Sequence, residues 1–177
     1  MNRREFAKRG ASFLVLGVSS ITLLGLSQCN GEGDTLKRLR EILTKLEAAF
    51  KLLSVMGLAN EVVQAAAKYL ESVAQFVNQA AETLEDAALS TAQRAAKILS
   101  LGAQVALPHF TDPRVQNSLL VVQQAVSLFL SLFQASNPPT VPINDKTRKT
   151  LADIERDASQ DNNDVVKWAA APHPTPS

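Results

Sequence analysis

From Leu58 to Ala106 the chain runs 49 residues with no proline and a single glycine, Gly102. A stretch so poor in turn residues favours helix over short strands and hairpins. Its apolar residues keep helical time. Val62, Ala66, Tyr69, Val73, Phe76 and Ala80 step by 4, 3, 4, 3 and 4. Leu84, Ala88, Ala92, Ala95, Leu99 and Gly102 continue the series with a change of phase. One unbroken helix of this length would extend ~73 Å. A domain of this size has a radius of gyration near ~15 Å. The stretch must therefore fold back, and the break is expected between Asp86 and Ser90. Ser90 followed by Gln93 supplies a capping box to restart the helix. The alanine-rich seam lets helices approach closely.

The preceding segment is amphipathic. Leu36, Leu39, Leu43, Leu46, Phe50 and Leu53 form one face, and Ile42, Ala49, Leu52 and Met56 widen it. Asp34 or Thr35 is the expected N-cap, with Gly57 ending the helix in a left-handed conformation. Downstream, Asp112 precedes Pro113, the pattern of a cap followed by proline at the first helical position. Val115 to Phe133 is the most apolar segment of the mature part. Leu119, Val122, Val126, Phe129 and Phe133 make one face, and Leu120, Val121, Leu128, Leu130 and Leu132 cover much of the rest. Gln116, Gln123, Ser127, Ser131 and Gln134 form its polar line. Such a helix is expected to be the central, most enclosed one. A partner-binding or bilayer-touching role is the alternative.

Residues 137–142 (NPPTVP) read as an extended linker. Lys146 to Ala158 is expected to form a short polar helix from Asn144 or Asp145, with Leu151 and Ile154 as its apolar contacts. Gln160 to Asp164 reads as a turn, Val165 to Trp168 as a docking segment, and residues 171–177 as a disordered tail. No strand-like alternation stands out. The expected fold is all-α: a compact bundle of about four main helices with a short C-terminal helix and a disordered tail. The expected division is 1–28 as leader, 29–34 as tether, 35–136 as bundle, and 137–177 as linker, short helix and tail.

The leader is read from charge and length. Arg3, Arg4, Lys8 and Arg9 precede an uncharged run from Ala11 to Leu26. Sixteen residues of helix cover ~24 Å, short of the ~30 Å hydrocarbon core, so the layout is that of a secretory signal. Arg3, Arg4, Phe6 and Lys8 resemble the twin-arginine signal, with Asn2 and Ala7 departing from its usual form. That resemblance implies export of an already folded protein; an ordinary secretory signal is the alternative. The only cysteine, Cys29, follows Leu26, Ser27 and Gln28. This quartet resembles the lipobox of bacterial lipoproteins, although that family prefers a smaller residue than Gln28. The resemblance implies acylation of Cys29 and cleavage before it. Two or three acyl chains anchor stably where one does not. An uncleaved membrane anchor and simple cleavage nearby are the other readings.

A lone cysteine excludes an internal disulfide. Setting aside Arg3, Arg4, Lys8, Arg9 and Glu5 leaves 14 basic against 16 acidic residues, which gives no electrostatic case for nucleic acid. His109 and His173 have no neighbour at metal-ligand spacing. No phosphate-binding loop, haem-attachment pair or Glu-x-x-His pair occurs. Glu82, Glu85 and Asp86, and the carboxylates from Asp153 to Asp164, read as solvated surface; the latter run lacks the glycine and closing glutamate of a calcium loop. Tyr69, Phe76, Phe129 and Phe133 read as core. No cofactor is expected.

The sequence thus points to an exported, membrane-tethered helical lipoprotein of a bacterial envelope. It would act as a non-enzymatic structural or interaction module with an envelope protein as partner, and the sequence leaves its oligomeric state open. The alternative is a carrier of a small apolar ligand or lipid, lined by the 115–133 face.

Overall fold

The computed structural model describes residues 31–173, with side chains from Gly33 onward. Among them all regular structure is helical: α1 (Gly31–Ser54), α2 (Asn60–Glu85), α3 (Thr91–Gly102), α4 (Pro113–Gln134) and α5 (Asp145–Ala170). The bundle has three layers. α1 and α2 form the middle, α5 packs against both on one side, and α4 with α3 covers the other. Among the described residues α4 and α5 make no contact with each other.

Side-chain pairs fix the directions. The Tyr69 hydroxyl donates to Gln123 Oε1 at 2.8 Å, and about two turns further along both helices the rings of Phe76 and Phe129 meet edge to face at 5.9 Å. α2 and α4 therefore run the same way. Gln64 near the start of α2 donates to the Ala169 carbonyl at 2.8 Å, while Glu85 at its end lies 3.9 Å from Arg148. α5 therefore runs against α2. Phe50, late in α1, packs at 5.6 Å on Trp168, late in α5. The start of α1 and the end of α4 consequently share one end of the bundle.

The seam read along α1 is buried: Leu39, Leu46 and Leu53 are fully enclosed, and Leu36 and Leu43 nearly so. Leu52, placed on the same face by spacing, is exposed instead. The break between α2 and α3 falls where expected. The Ser90 hydroxyl accepts from the Gln93 amide at 3.3 Å, and Gln93 Oε1 accepts from the Ser90 amide at 2.9 Å. Because α3 begins afresh there, it buries Ala95, Ile98 and Gly102 and leaves Ala88 and Ala92 outside. Asp112 caps α4 through the Arg114 amide at 2.8 Å, and Pro113 opens the helix.

Other expectations are corrected. α1 already runs at Gly31, so residues 31–34 are helix rather than tether, and Asp34 and Thr35 lie within it; Thr35 is wholly buried. Burial of Leu36 and Leu39 makes propagation back through two poor helix formers favourable once the helix is nucleated. Gly57 is not left-handed; the turn closes through the Met56 amide on the Leu53 carbonyl and the Leu58 amide on the Met56 carbonyl.

The largest correction is α5. It is 26 residues long and runs straight through Gln160–Asp164. Thr147, Leu151, Ile154, Ala158 and Val165 are its buried line, stepping by 4, 3, 4 and 7. That stripe gains enough burial on α1 and α2 to override the turn preference of Asp161, Asn162 and Asn163. Asn144 caps it, Oδ1 accepting from the Thr147 amide at 2.9 Å. The preceding linker is pinned to the core by Val141, which is 2% exposed. Of the expected disordered tail, Ala171–His173 is described: His173 Nε2 lies 2.8 Å from the Trp168 carbonyl and its ring packs on the indole. Residues 174–177 lie outside the described residues.

Enclosure by both outer layers makes α2, not α4, the most buried helix. Its alanines allow this. Ala74 and Ala158 are both buried and line one crevice between α2 and α5, where larger side chains would hold the axes apart.

Candidate functional site

The two outer layers differ in charge. α5 carries eleven charged residues in 26, six acidic and five basic. α4 carries one, Arg114, and from Val115 to Asn144 the chain has none at all.

On the α5 side, a groove of about 530 Å³ runs between α5 and α1, lined by Arg40, Thr44, Glu47, Asp157, Gln160 and Asp161 among others. Helical spacing on the two elements brings these side chains together, since i, i+3 and i+4 positions share a face. Arg156 binds Asp153 at 2.8 Å and Asp157 at 3.1 Å. Lys51 pairs with Glu47, and this raises the lysine above its ordinary range. Asp161 is pushed up to about 6, first by burial, then by Glu47, Asp157 and Asp164, with Lys51 opposing. Glu155 is raised by burial and by Glu85 and Glu82. Between α5 and α2, a crevice of about 110 Å³ is lined by Asn162, whose buried Oδ1 has no hydrogen-bond partner. That volume suits a few water molecules.

On the opposite side, α4 turns its leucines outward. Leu128 is 50% exposed, Val121 44% and Leu120 40%. Val121 and Leu128, seven residues apart, share one outward strip, while Leu132 beyond them is partly buried against the core. The expected solvent-facing polar line is partly drawn inward. Gln123 accepts from the buried Tyr69 hydroxyl at 2.8 Å, and Gln116 Oε1 accepts from the Phe110 amide at 2.7 Å. Burial also raises the Tyr69 hydroxyl's proton affinity. Val121 and Leu128 lie across the helix from the buried face of Leu119, Val122, Val126, Phe129 and Phe133, so they are left outside when that face packs. α4 is the one described helix long and apolar enough to cross a membrane, and only 33% of its most apolar 18 residues is buried. The sequence did hold the signal for this face: thirty residues without a charge.

The residues singled out for export and lipidation, Arg3, Arg4, Phe6, Lys8, Leu26, Ser27, Gln28 and Cys29, lie outside the described residues. Phe129 is fully buried, edge to face with Phe76 and with Phe133 at 5.1 Å, and Tyr69 is core as expected. His109 is exposed in the loop before α4. Glu85 approaches Arg148, and the Asp86 carbonyl accepts from Arg94 Nε and Nη2 at 3.0 and 2.8 Å. No three His, Cys, Asp or Glu side chains gather as a metal site among the described residues. No family model, curated protein or solved structure matches the chain.

Proposed function

We propose that this chain is an exported lipoprotein whose helical bundle is held at a membrane surface by acyl chains on Cys29 and acts by position, as a structural or interaction module, rather than by catalysis. The observation that carries the reading is the placement of the only cysteine. Cys29 follows the uncharged run from Ala11 to Leu26 and stands two residues before α1 begins. A thioether there leaves the whole bundle intact beyond it. The charged groove between α1 and α5 is the surface offered to an envelope protein, because its paired and unpaired charges suit a polar, specific contact. The carrier reading draws less support. The α4 residues that would line an apolar cavity, Leu119, Val122, Val126, Phe129 and Phe133, are packed within the core.

Metabolic labelling with radioactive palmitate tests the anchor. The wild-type chain takes up label and Cys29→Ala does not; equal labelling overturns the reading. Replacing Arg3 and Arg4 by Lys abolishes export if the twin-arginine route is used, and undiminished export assigns the chain to the general secretory route.

A further inference from the structure

We infer that the uncharged outer face of α4 docks on the lipid bilayer itself, so that the tethered protein lies on its α3–α4 side with α5 turned to the aqueous phase. The inference rests on the anchor at Cys29 and adds an orientation that the anchor alone does not dictate.

Reach is the first argument. Only Asn30 separates Cys29 from Gly31, and extended chain spans at most ~3.6 Å per residue, so the start of α1 is held within ~7 Å of the Cα of the acylated Cys29. The start of α1 and the end of α4 share one end of the bundle, as the pairs Tyr69–Gln123, Phe76–Phe129 and Phe50–Trp168 require. A tether this short keeps the bundle against the membrane, and the surface that meets it at least cost is one without charge. α4 presents Leu120, Val121 and Leu128 to solvent. Its outward polar neighbours, Asn117, Gln124 and Ser131, are uncharged and sit readily among headgroups. The inner face stays committed to the core, so α4 lies in the interface rather than spanning it.

Charge is the second argument. Between Ala87 and Asn144 the only acidic residue is Asp112, against Arg94, Lys97 and Arg114. Arg114 is paired with Asp112 at 2.9 Å, which leaves exposed Lys97 and half-buried Arg94 as the net positive charge of this side. An anionic phospholipid surface attracts such a side. α5, with six acidic and five basic residues, forms the other outer layer, which α4 does not touch. The opposite orientation would bring this densely charged helix, rather than an uncharged strip, against the bilayer.

The test uses the full chain as processed by the cell, reconstituted in phosphatidylethanolamine–phosphatidylglycerol vesicles. A single environment-sensitive fluorophore is placed through Leu128→Cys, with Ser131→Cys as a second α4 position and Gln160→Cys on α5. All three sites are exposed, so labelling leaves the core untouched. Docking gives a blue-shifted emission at 128 and 131 that nitroxide-bearing lipids quench, with no shift or quenching at 160. Co-sedimentation with vesicles but no quenching at 128 and 131 overturns the docked orientation while the anchor stands. Quenching at 160 alone overturns it by reversing the face. A blue shift at 128 that lipid nitroxides leave unquenched, with crosslinked dimers, assigns the face to a second copy of the chain and overturns docking. Failure to co-sediment removes the anchor reading, and docking with it.

Discussion

A methyl group added to Gly102 would lie 2.5 Å from both terminal methyls of Leu130 and 3.0 Å from its branch carbon. The end of α3 thus seats against α4 through the absence of a side chain. Gly102→Ala should cost about 1 kcal/mol, within the range for overpacking, because the last residue of a helix gains little propensity in return. Combining it with Leu130→Ala should recover most of the Gly102→Ala cost in a double-mutant cycle. Urea denaturation measures both, and strictly additive losses would show that the two groups do not collide.

Phe129 is fully enclosed and touches two aromatic rings, one across the bundle and one on its own helix. Phe129→Ala should lower the unfolding free energy by about 3–5 kcal/mol. Exposed Leu128→Ala, one residue away, should change it by less than about 0.5 kcal/mol. Thermal melts followed by circular dichroism separate the two, and similar losses would mean that α4 is rotated from the orientation described here.

Asp161 gives the bundle a pH dependence. Its folded pKa of about 6 lies above the ordinary carboxylate value of 3.8. The group therefore favours the fold once protonated, and that stabilisation is lost as pH rises through 6. Full linkage would be about 3 kcal/mol; with solvent screening in an open groove, about 1 kcal/mol is expected. Stability should rise between pH 7.5 and 5, and Asp161→Asn should flatten that rise. Parallel pH profiles for wild type and variant would show that Asp161 is not the group responsible.

The Ser90–Gln93 box satisfies two amides at the only point where the long middle stretch turns. Ser90→Ala should cost about 1 kcal/mol, and Ser90→Asp should retain most of the stability. Amide hydrogen exchange should show faster opening of the first turn of α3 in the alanine variant; unchanged protection would relegate the box to a surface detail.

Periodicity made much of this legible. The α1 seam, the break after Asp86, the caps at Ser90, Asp112 and Asn144, and the aromatic core around Phe129 all follow from spacing and cap chemistry, which act over a few residues. In α5 the signal is hidden for a related reason. Val165 continues the line of Thr147, Leu151, Ile154 and Ala158, but four polar residues from Asp161 to Asp164 mask it locally, and only the presence of α2 and α1 beneath makes the stripe worth burying. In α4 the spacing marks the inward face, since Leu119, Val122, Val126, Phe129 and Phe133 are all buried; it does not show that Leu120, Val121 and Leu128 on the other side are left without cover.

The chain by itself determined that helices form, where most begin, and which charges and which cysteine precede them, because these depend on neighbours within one or two turns. Tertiary structure alone decided that α2 rather than α4 lies at the centre, that Gln123 meets the Tyr69 hydroxyl 54 residues away, and that Leu120, Val121 and Leu128 of α4 have no element packed over them. Those outcomes depend on which helices pack together, which no pattern within one or two turns specifies.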